Sequence, residues 1–302
     1  MISEAFSYST VEIANSFDGK SAVFAIDLSV DIAVKLVNDR DIIFSDKSFH
    51  KFNDIVKKTL DYFGYGEGCI IDIKTKIPEN SGLGFKEAVI SAIILGISGA
   101  ISSKNGSILE LKIDKYMKEQ IMEVNGKLVN IFDLIRKISD DDVRFDRLFA
   151  SYFGGFIAAD NIKKEILRRG EMESLYVSLI IPKRIRMNKH EFKPELLFKN
   201  EAEVIFTEAL KGNLYTAMKL NGLLYDKELI KKALSLGAIT ATVNRNGVLI
   251  ALSRDKKTAE RISDNLVFRV ANKKAIVKRK PMRVIRVNEF LKIKGKNKFY
   301  WI

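Results

Sequence analysis

Between Pro78 and Ala88 the chain reads Pro-Glu-Asn-Ser-Gly-Leu-Gly-Phe-Lys-Glu-Ala, and here its residue types and spacing come nearest to chemistry. The preceding stretch, Cys69 to Ile77, has the β-branched content of a strand, and Phe85 to Ser102 is an apolar run of helical length. A turn carrying Gly82 and Gly84 between such elements suits a phosphate chain. Glycine has no Cβ, so the backbone can approach an anion closely. The amides of the first helical turn have no intrahelical acceptor, and together with the positive end of the helix dipole they point at its oxygens. The spacing is not that of the Walker loop, which needs Gly-Lys-Ser/Thr at the helix start, nor that of the glycine fingerprint of dinucleotide sites. An ordinary turn entering a buried helix fits it equally.

The elements that must hold this turn are visible around it. Ser21 to Val37 is rich in β-branched residues and alternates over its second half, as a partly buried strand does; Asp41 to Ser45 is a short second strand. Between Asp46 and Tyr65, Phe49, Phe52, Val56, Leu60 and Phe63 recur at helical spacing, and Gly64 and Gly66 end that helix. Ser102 to Asp142 reads as helical and charged, and Val143 to Ala159 as a strand passing through Gly154-Gly155. A lobe boundary falls near Arg168 to Glu173, dividing the chain into residues 1–170 and 171–302. Beyond it come a strand from Leu175 to Ile181 and two helical patterns between Pro194 and Leu236. A hairpin follows, Ile239–Val243 and Val248–Leu252 around Asn244-Arg245-Asn246-Gly247, then a helix from Lys256 to Asn265 and strands from Val267 onward. That is the strand-helix-strand-strand-helix-strand order of a ferredoxin-like lobe.

The bulk numbers agree with a two-lobed globular protein. A chain of 302 residues, 47% of them apolar and with 4 prolines, is long for one core and poor in linker composition. A single cysteine, Cys69, and an N-terminus without a signal-peptide layout favour a reducing, cytoplasmic setting. The longest apolar run, Ala88 to Ile101, is shorter than the roughly 20 residues a membrane span needs. Cys69, His50 and His190 lie too far apart to support a zinc site or a Cys-His nucleophile. Of the net charge of +13, Ser253 to Ile302 carries +12, from sixteen basic against four acidic residues. Such a tail, ending in Phe299-Tyr300-Trp301, could attract a nucleic-acid backbone and stack on bases; a solvated face that keeps the protein soluble is the plainer reading.

The segment from Pro78 to Ala88 resembles the second motif of the GHMP small-molecule kinases. There a proline, three variable residues (here Glu79, Asn80 and Ser81) and Gly-Leu-Gly or Gly-Leu-Ser precede serines and an alanine; Pro78, Gly82, Leu83, Gly84 and Ala88 match. Two further stretches narrow the resemblance to the archaeal shikimate kinases. One is Gly19-Lys20 followed by Phe24-Ala25-Ile26-Asp27-Leu28. The other is Ala150-Ser151-Tyr152-Phe153-Gly154-Gly155, with Asp160-Asn161 and Ile166 to Met172 behind it. The similarity runs from about Ser7 to Arg186. It implies an α+β, two-lobed GHMP kinase fold, with a ribosomal-protein-S5-domain-2-like N-terminal lobe and a ferredoxin-like C-terminal one. It further implies ATP and Mg2+ as cofactors, a shikimate-like hydroxy acid as partner, and phosphorylation of the shikimate 3-hydroxyl in aromatic amino-acid biosynthesis. Another small hydroxylated acid, or an amino acid such as homoserine, is an open alternative. By the same resemblance, Pro78 to Ala88 contacts the nucleotide, Lys20 faces a substrate carboxylate or phosphate, and Asp27 and Ser151 lie on the substrate side. Asp27 also stands out by itself, as an acid in a strand among apolar neighbours that needs a partner.

The departures fall on the positions that do chemistry. Phe85, Lys86 and Glu87 replace serines that contact phosphate and help hold magnesium. Asp146-Arg147 replaces paired aspartates, with Arg147 in the catalytic aspartate's place, and Asn244-Arg245-Asn246-Gly247-Val248 replaces a Ser-Gly-Thr-Gly-Pro loop. Compensations exist on paper. Lys86 could meet a β or γ phosphate, Glu87 could ligate magnesium, and Asp146 could orient or deprotonate the substrate hydroxyl. Arg147 could balance transferring charge but cannot be a base. Equally, Lys86 and Glu87 fit a solvated first helical turn and Asp146 an acidic surface loop. Two readings follow: a working kinase, or a binding protein on the same scaffold that has lost turnover.

Overall fold

The computed structural model describes residues 2–105, 108–112, 118–124, 127–138, 143–182, 198–275, 277–278 and 285–286. Its spine is a pair of long antiparallel strands, β1 (Ile2–Phe17) and β2 (Lys20–Leu36). The second half of β2 pairs with β4 (Cys69–Thr75), which carries β3 (Ile42–Phe44) in parallel on its far side. The first half pairs with β8 (Phe156–Asp160), which in turn pairs with β9 (Glu165–Gly170). A two-residue strand, β14 (Val277–Lys278), closes on the outer edge of β1 and completes a seven-stranded sheet.

On this sheet lies α2 (Phe85–Asn105), with Val89, Ile90, Ile93, Ile94, Leu95 and Ile97 fully buried, each contributing about 1.5–3 kcal/mol over an exposed side chain. Gly96 lets the helix touch the strand beneath: a Cβ there would sit 2.7 Å from Val34 Cγ2. Phe85–Ser102 is the one stretch among the described residues long and apolar enough to cross a bilayer, and it is 89% buried inside the fold. Against it pack α1 (Asn53–Tyr62) and α4 (Phe145–Phe153).

Two stretches of the N-terminal half differ from the expectation drawn from sequence. The helix expected over Ser102 to Asp142 is instead three strands, β5 (Ile108–Lys112), β6 (Lys118–Val124) and β7 (Lys127–Asn130), followed by one short helix, α3 (Ile131–Ile138). The Asn-Gly pair at 125–126, a hairpin signal between β6 and β7, outweighs the helix-favouring charges. The strand expected from Val143 is helical up to Phe153, because Phe145, Leu148, Phe149 and Tyr152 are buried at helical spacing; only Phe156–Asp160 is extended.

The second sheet holds β10 (Tyr176–Ile180), β11 (Thr240–Val243), β12 (Leu249–Ser253) and β13 (Val267–Arg269), in the order β11-β12-β10-β13 with antiparallel neighbours throughout. With α8 (Lys256–Ile262) between β12 and β13, this is the ferredoxin-like order. Among the described residues, the connection from β10 to β11 holds three helices rather than two: α5 (Lys199–Lys211), α6 (Leu214–Tyr225) and α7 (Lys227–Ser235). Asp226 divides the last two by accepting the Leu229 amide as an N-cap. The lobes are tied where Asn15 N donates to Asn221 Oδ1 (3.0 Å) and Gly155 N to Ala271 O (2.7 Å). The tail from Asn288 to Ile302, with Phe299, Tyr300 and Trp301 and the nucleic-acid reading that rests on them, lies outside the described residues.

Candidate active site

The turn from β4 into α2 is held from two sides. Residues Asn80, Gly82 and Gly84 all have positive φ (60°, 73° and 69°), so the loop coils tightly between Pro78 and the helix. Within it, the Ser81 hydroxyl donates to Pro78 O (2.7 Å) and accepts from Leu83 N (3.3 Å). From beneath, β1 stitches it down: Thr10 N and Ser9 Oγ donate to Leu83 O, and Ser7 Oγ to Ala88 O at 2.6 Å. These buried polar side chains explain why β1 does not look like a core strand in sequence.

From above comes the β11–β12 hairpin. Asn244 Nδ2 donates to Ser81 O (2.8 Å) and Asn246 Nδ2 to Asn80 O (2.6 Å), while Asn244 Oδ1 accepts the amides of Asn246 and Val248, each at 3.0 Å. The asparagines of this hairpin therefore clamp the second lobe onto the loop. A Cβ at Gly82 would meet both clamps, at 2.6 Å from Asn246 Oδ1 and 2.7 Å from Asn244 Nδ2. Substituting Asn244→Ala strips a buried donor-acceptor pair from several backbone groups at once. The expected loss is about 1–3 kcal/mol, measurable as a lower urea midpoint with unchanged slope.

Beside the loop, the first turn of α4 forms a buried ionic cluster with β1. Arg147 Nη2 donates to Glu12 Oε1 at 2.5 Å, and Arg144 donates through Nη1 to the same oxygen (2.8 Å) and through Nη2 to Asp146 Oδ2 (2.6 Å). Asp146 also accepts from Ser21 Oγ (2.7 Å) and from Arg147 N (2.8 Å). Asn161 ties this to the turn before Lys20, accepting from Asp146 N (3.0 Å) and donating to Gly19 O (2.9 Å) and Ser21 Oγ (2.7 Å). Glu12, Asp146 and Arg147 are 3%, 0% and 4% exposed, so Asp146 is no surface-loop acid. Burial pushes the Glu12 carboxyl up, but Arg147 and Arg144 outweigh it and hold the group below the usual carboxylate range. Asp146 behaves alike, burial being overcome chiefly by Arg144.

The guanidinium of Arg147 lies under the loop: its Nη1 is 3.3 Å from where a Cβ of Gly84 would stand, and Thr10 Oγ1 is closer still. Thr10 Oγ1, Glu12 Oε2, Arg147 Nε and Ser151 Oγ are buried without a hydrogen-bond partner among the described residues. Glu12 was not singled out from the sequence. The argument applied to Asp27, an acid among apolar strand neighbours, also picks out Val11-Glu12-Ile13 once β1 is known to be a strand.

Other residues named from sequence fall in varied places. Phe85 turns away into an aromatic cluster with Phe49 (6.3 Å) and Phe52 (6.4 Å), with Lys51 Nζ 5.2 Å from its ring. Glu79 forms an exposed ion pair with Lys51 (2.7 Å), an arrangement that contributes little to stability. Lys86 is half-buried in the first turn of α2, and Glu87 is buried, with Oε1 3.4 Å from Arg144 N. Lys20 is exposed at the start of β2, opposite Asp160, while its neighbour Ser21 faces Asp146. Asp27 is exposed at a β-bulge and accepts Arg269 N at 2.7 Å, anchoring β13. Ser151 lies one helical turn beyond Arg147. A cavity of about 370 Å³, lined by Glu171, Glu173, Asn213, Tyr215 and Thr216 among others, shares none of these residues.

Magnesium is a poor match to this donor set. Among the described residues no three His, Cys, Asp or Glu side chains group to hold a metal. Asp146 is engaged by Arg144 and Ser21 and Glu87 by the Arg144 amide, while Glu12, its Oε1 held by two arginines, keeps only Oε2 without a partner among the described residues. An added cation would face the guanidinium groups of Arg144 and Arg147, at about 4 kcal/mol of repulsion per pair of unit charges 4 Å apart in an effective dielectric of 20.

No protein-family model matches the chain. Among solved structures it is similar to homoserine kinase from Cytophaga hutchinsonii (TM-score 0.66, 16% identity, covering 92% of this chain and 97% of that one). It is also similar to mevalonate kinase from Methanococcus jannaschii (TM-score 0.57, 17% identity, 90% and 98%). The chain therefore has the fold of the GHMP kinases. In sequence it is similar to archaeal shikimate kinases. The shikimate kinase of Pyrococcus furiosus is 27% identical over 269 residues, 84% of this chain and 92% of that protein. That of Methanothermobacter thermautotrophicus is 23% identical over 259 residues, 80% and 83%.

Proposed function

We propose that this protein is a cytoplasmic, ATP-dependent small-molecule kinase acting on the hydroxyl of shikimate or of a closely similar hydroxylated acid. The observation that carries this is the glycine turn at the start of α2 with the second lobe's hairpin docked on it, in a chain whose relatives are named shikimate kinase. Phosphoryl transfer asks a protein mostly for positioning and charge neutralisation. In this reading the backbone from Pro78 to Ala88 cradles the phosphates, with Lys86 meeting the terminal one. Arg147 stabilises the charge on the transferring group. Asp146, kept ionised by Arg144, orients the attacking hydroxyl, while Lys20 and Ser151 contribute on the acid's side, and Asp27 acts there through the anchor it gives β13. The chain's single thiol, Cys69, is buried and pushed up to about 12 by desolvation, in keeping with a reduced compartment.

The test is ADP release by the purified protein from ATP and shikimate, with Asp146→Asn as control. Activity at least tenfold above the control supports the assignment, and release equal to the control counts against it. The buried Arg147–Glu12 pair, standing where the resemblance places a catalytic aspartate, favours a second reading, a binding protein without turnover. Calorimetric uptake of ATP or shikimate with no ADP formed would select that reading.

A further inference from the structure

We propose that Glu12 is a positioning residue for phosphoryl transfer at the loop: a single carboxylate oxygen on β1 aims Arg147 at the loop and, through Arg144, fixes Asp146. This rests on the reading of the site as a kinase centre and goes beyond it by assigning the group that holds its two charged residues in place.

Glu12 lies on β1 between the fully buried Val11 and Ile13 and is itself 3% exposed. Side chains alternate along a strand, so Glu12 shares a face with Thr10, whose amide pins Leu83 O and whose Oγ1 lies under Gly84. From Thr10 to Glu12 the strand pairs in regular register with Ala25 to Val23. One rigid stretch of β1 thus carries both the anchor of the loop and the carboxylate. The Oε1 of that carboxylate accepts Arg147 Nη2 and Arg144 Nη1. Arg144 then gives Nη2 and Nε to the two oxygens of Asp146, at 2.6 and 3.2 Å. A guanidinium is planar and rigid, so fixing one edge fixes the other, and the connection from the loop to Asp146 is continuous through Glu12.

Stability does not account for this arrangement. Desolvation offsets the attraction within a buried ion pair, and Glu12 Oε2 is buried without a partner among the described residues, a further penalty. The carboxylate stays ionised nonetheless, because Arg147 and Arg144 outweigh its burial. A charged group retained against that penalty beside a glycine loop marks a site whose geometry must be held.

The experiment compares kcat and KM for ATP and shikimate in the full-length parent, Glu12→Asp and Glu12→Gln, each assayed below its unfolding transition as followed by circular dichroism. Aspartate keeps the charge but is one methylene shorter, so both guanidinium groups lose their aim. In Glu12→Asp, kcat should fall about a hundredfold with KM within about threefold of the parent, since the lost interaction belongs to the transition state. The conservative Glu12→Gln keeps an acceptor at the same reach and should rescue turnover to at least about a third of the parent's. A merely structural residue would do the reverse, lowering the melting temperature and leaving the kcat of the folded protein unmoved. Turnover within about threefold of the parent in Glu12→Asp, or below about a third of it in Glu12→Gln, would overturn the inference and leave the kinase reading standing. No ADP release by the parent would overturn both. Should Glu12→Asp not fold, the threshold for Glu12→Gln applies alone.

Discussion

Arg147→Met should lower the unfolding free energy by about 3–5 kcal/mol, because it leaves Glu12 charged and bonded only to a partly exposed Arg144 in the interior between β1 and α4. The same substitution made together with Glu12→Leu should recover most of that loss. A buried ion pair is weak evidence for stability: its desolvation offsets its attraction, and well-packed apolar replacements are often neutral or better, by about 1–4 kcal/mol. Guanidinium unfolding followed by circular dichroism measures both, with the slope as a check that the same surface is exposed in each variant. A single variant no weaker than the double would show that the pair is not the structural unit the distances indicate. Acid adds an independent readout. Glu12 and Asp146 are both depressed in the folded state, so their contribution is fully present above the unfolded values of about 4.3 and about 3.9 and is lost as pH falls below them. Stability of the double variant should therefore fall less steeply with acid than that of the parent.

Gly84→Ala should be the most damaging change in the loop. At φ 69° an L-residue is strained by about 1–3 kcal/mol, and the new methyl group would stand 2.2 Å from Thr10 Oγ1 and 3.3 Å from Thr10 N, adding about 1–3 kcal/mol of overpacking. The loop can relieve this only by lifting off β1, which breaks the bond from Thr10 N to Leu83 O and carries the amides of α2 away from Arg147. Nucleotide affinity should fall with stability. Gly64→Ala separates the two effects: its φ of 63° is nearly the same, but nothing lies within 4 Å of the added carbon, so only the conformational part should appear. If both glycines give equal losses in thermal unfolding, the close contact beneath Gly84 is not what the coordinates show.

The parts of this molecule legible in the sequence are those whose signal is local. The turn at Gly82 and Gly84, the apolar run of α2 and the Asn-Gly hairpin each announce themselves within a dozen residues, and the motif order carried the family resemblance. What escaped is non-local. Ser7, Ser9, Thr10 and Glu12 make β1 look like a polar segment, because their partners, Leu83, Ala88 and Arg147, lie far along the chain. Asp146 next to Arg147 looks like a surface turn until the aromatic face of α4 buries it. The clamp by Asn244 and Asn246 is written in residues that sequence reading takes for turn formers alone. Their side-chain amides are committed to the opposite lobe only once both lobes are in place.

On the outer edge of β1, Glu4 and Ala5 pair with Val277–Lys278, so segments far apart in sequence share one ladder. During synthesis that short stretch of edge waits until Val277 and Lys278 have been made, and contacts of such long sequence separation form slowly. A chain stopped ahead of Val277 would leave Glu4 and Ala5 with an unpaired strand edge, a place for a strand of another molecule to add.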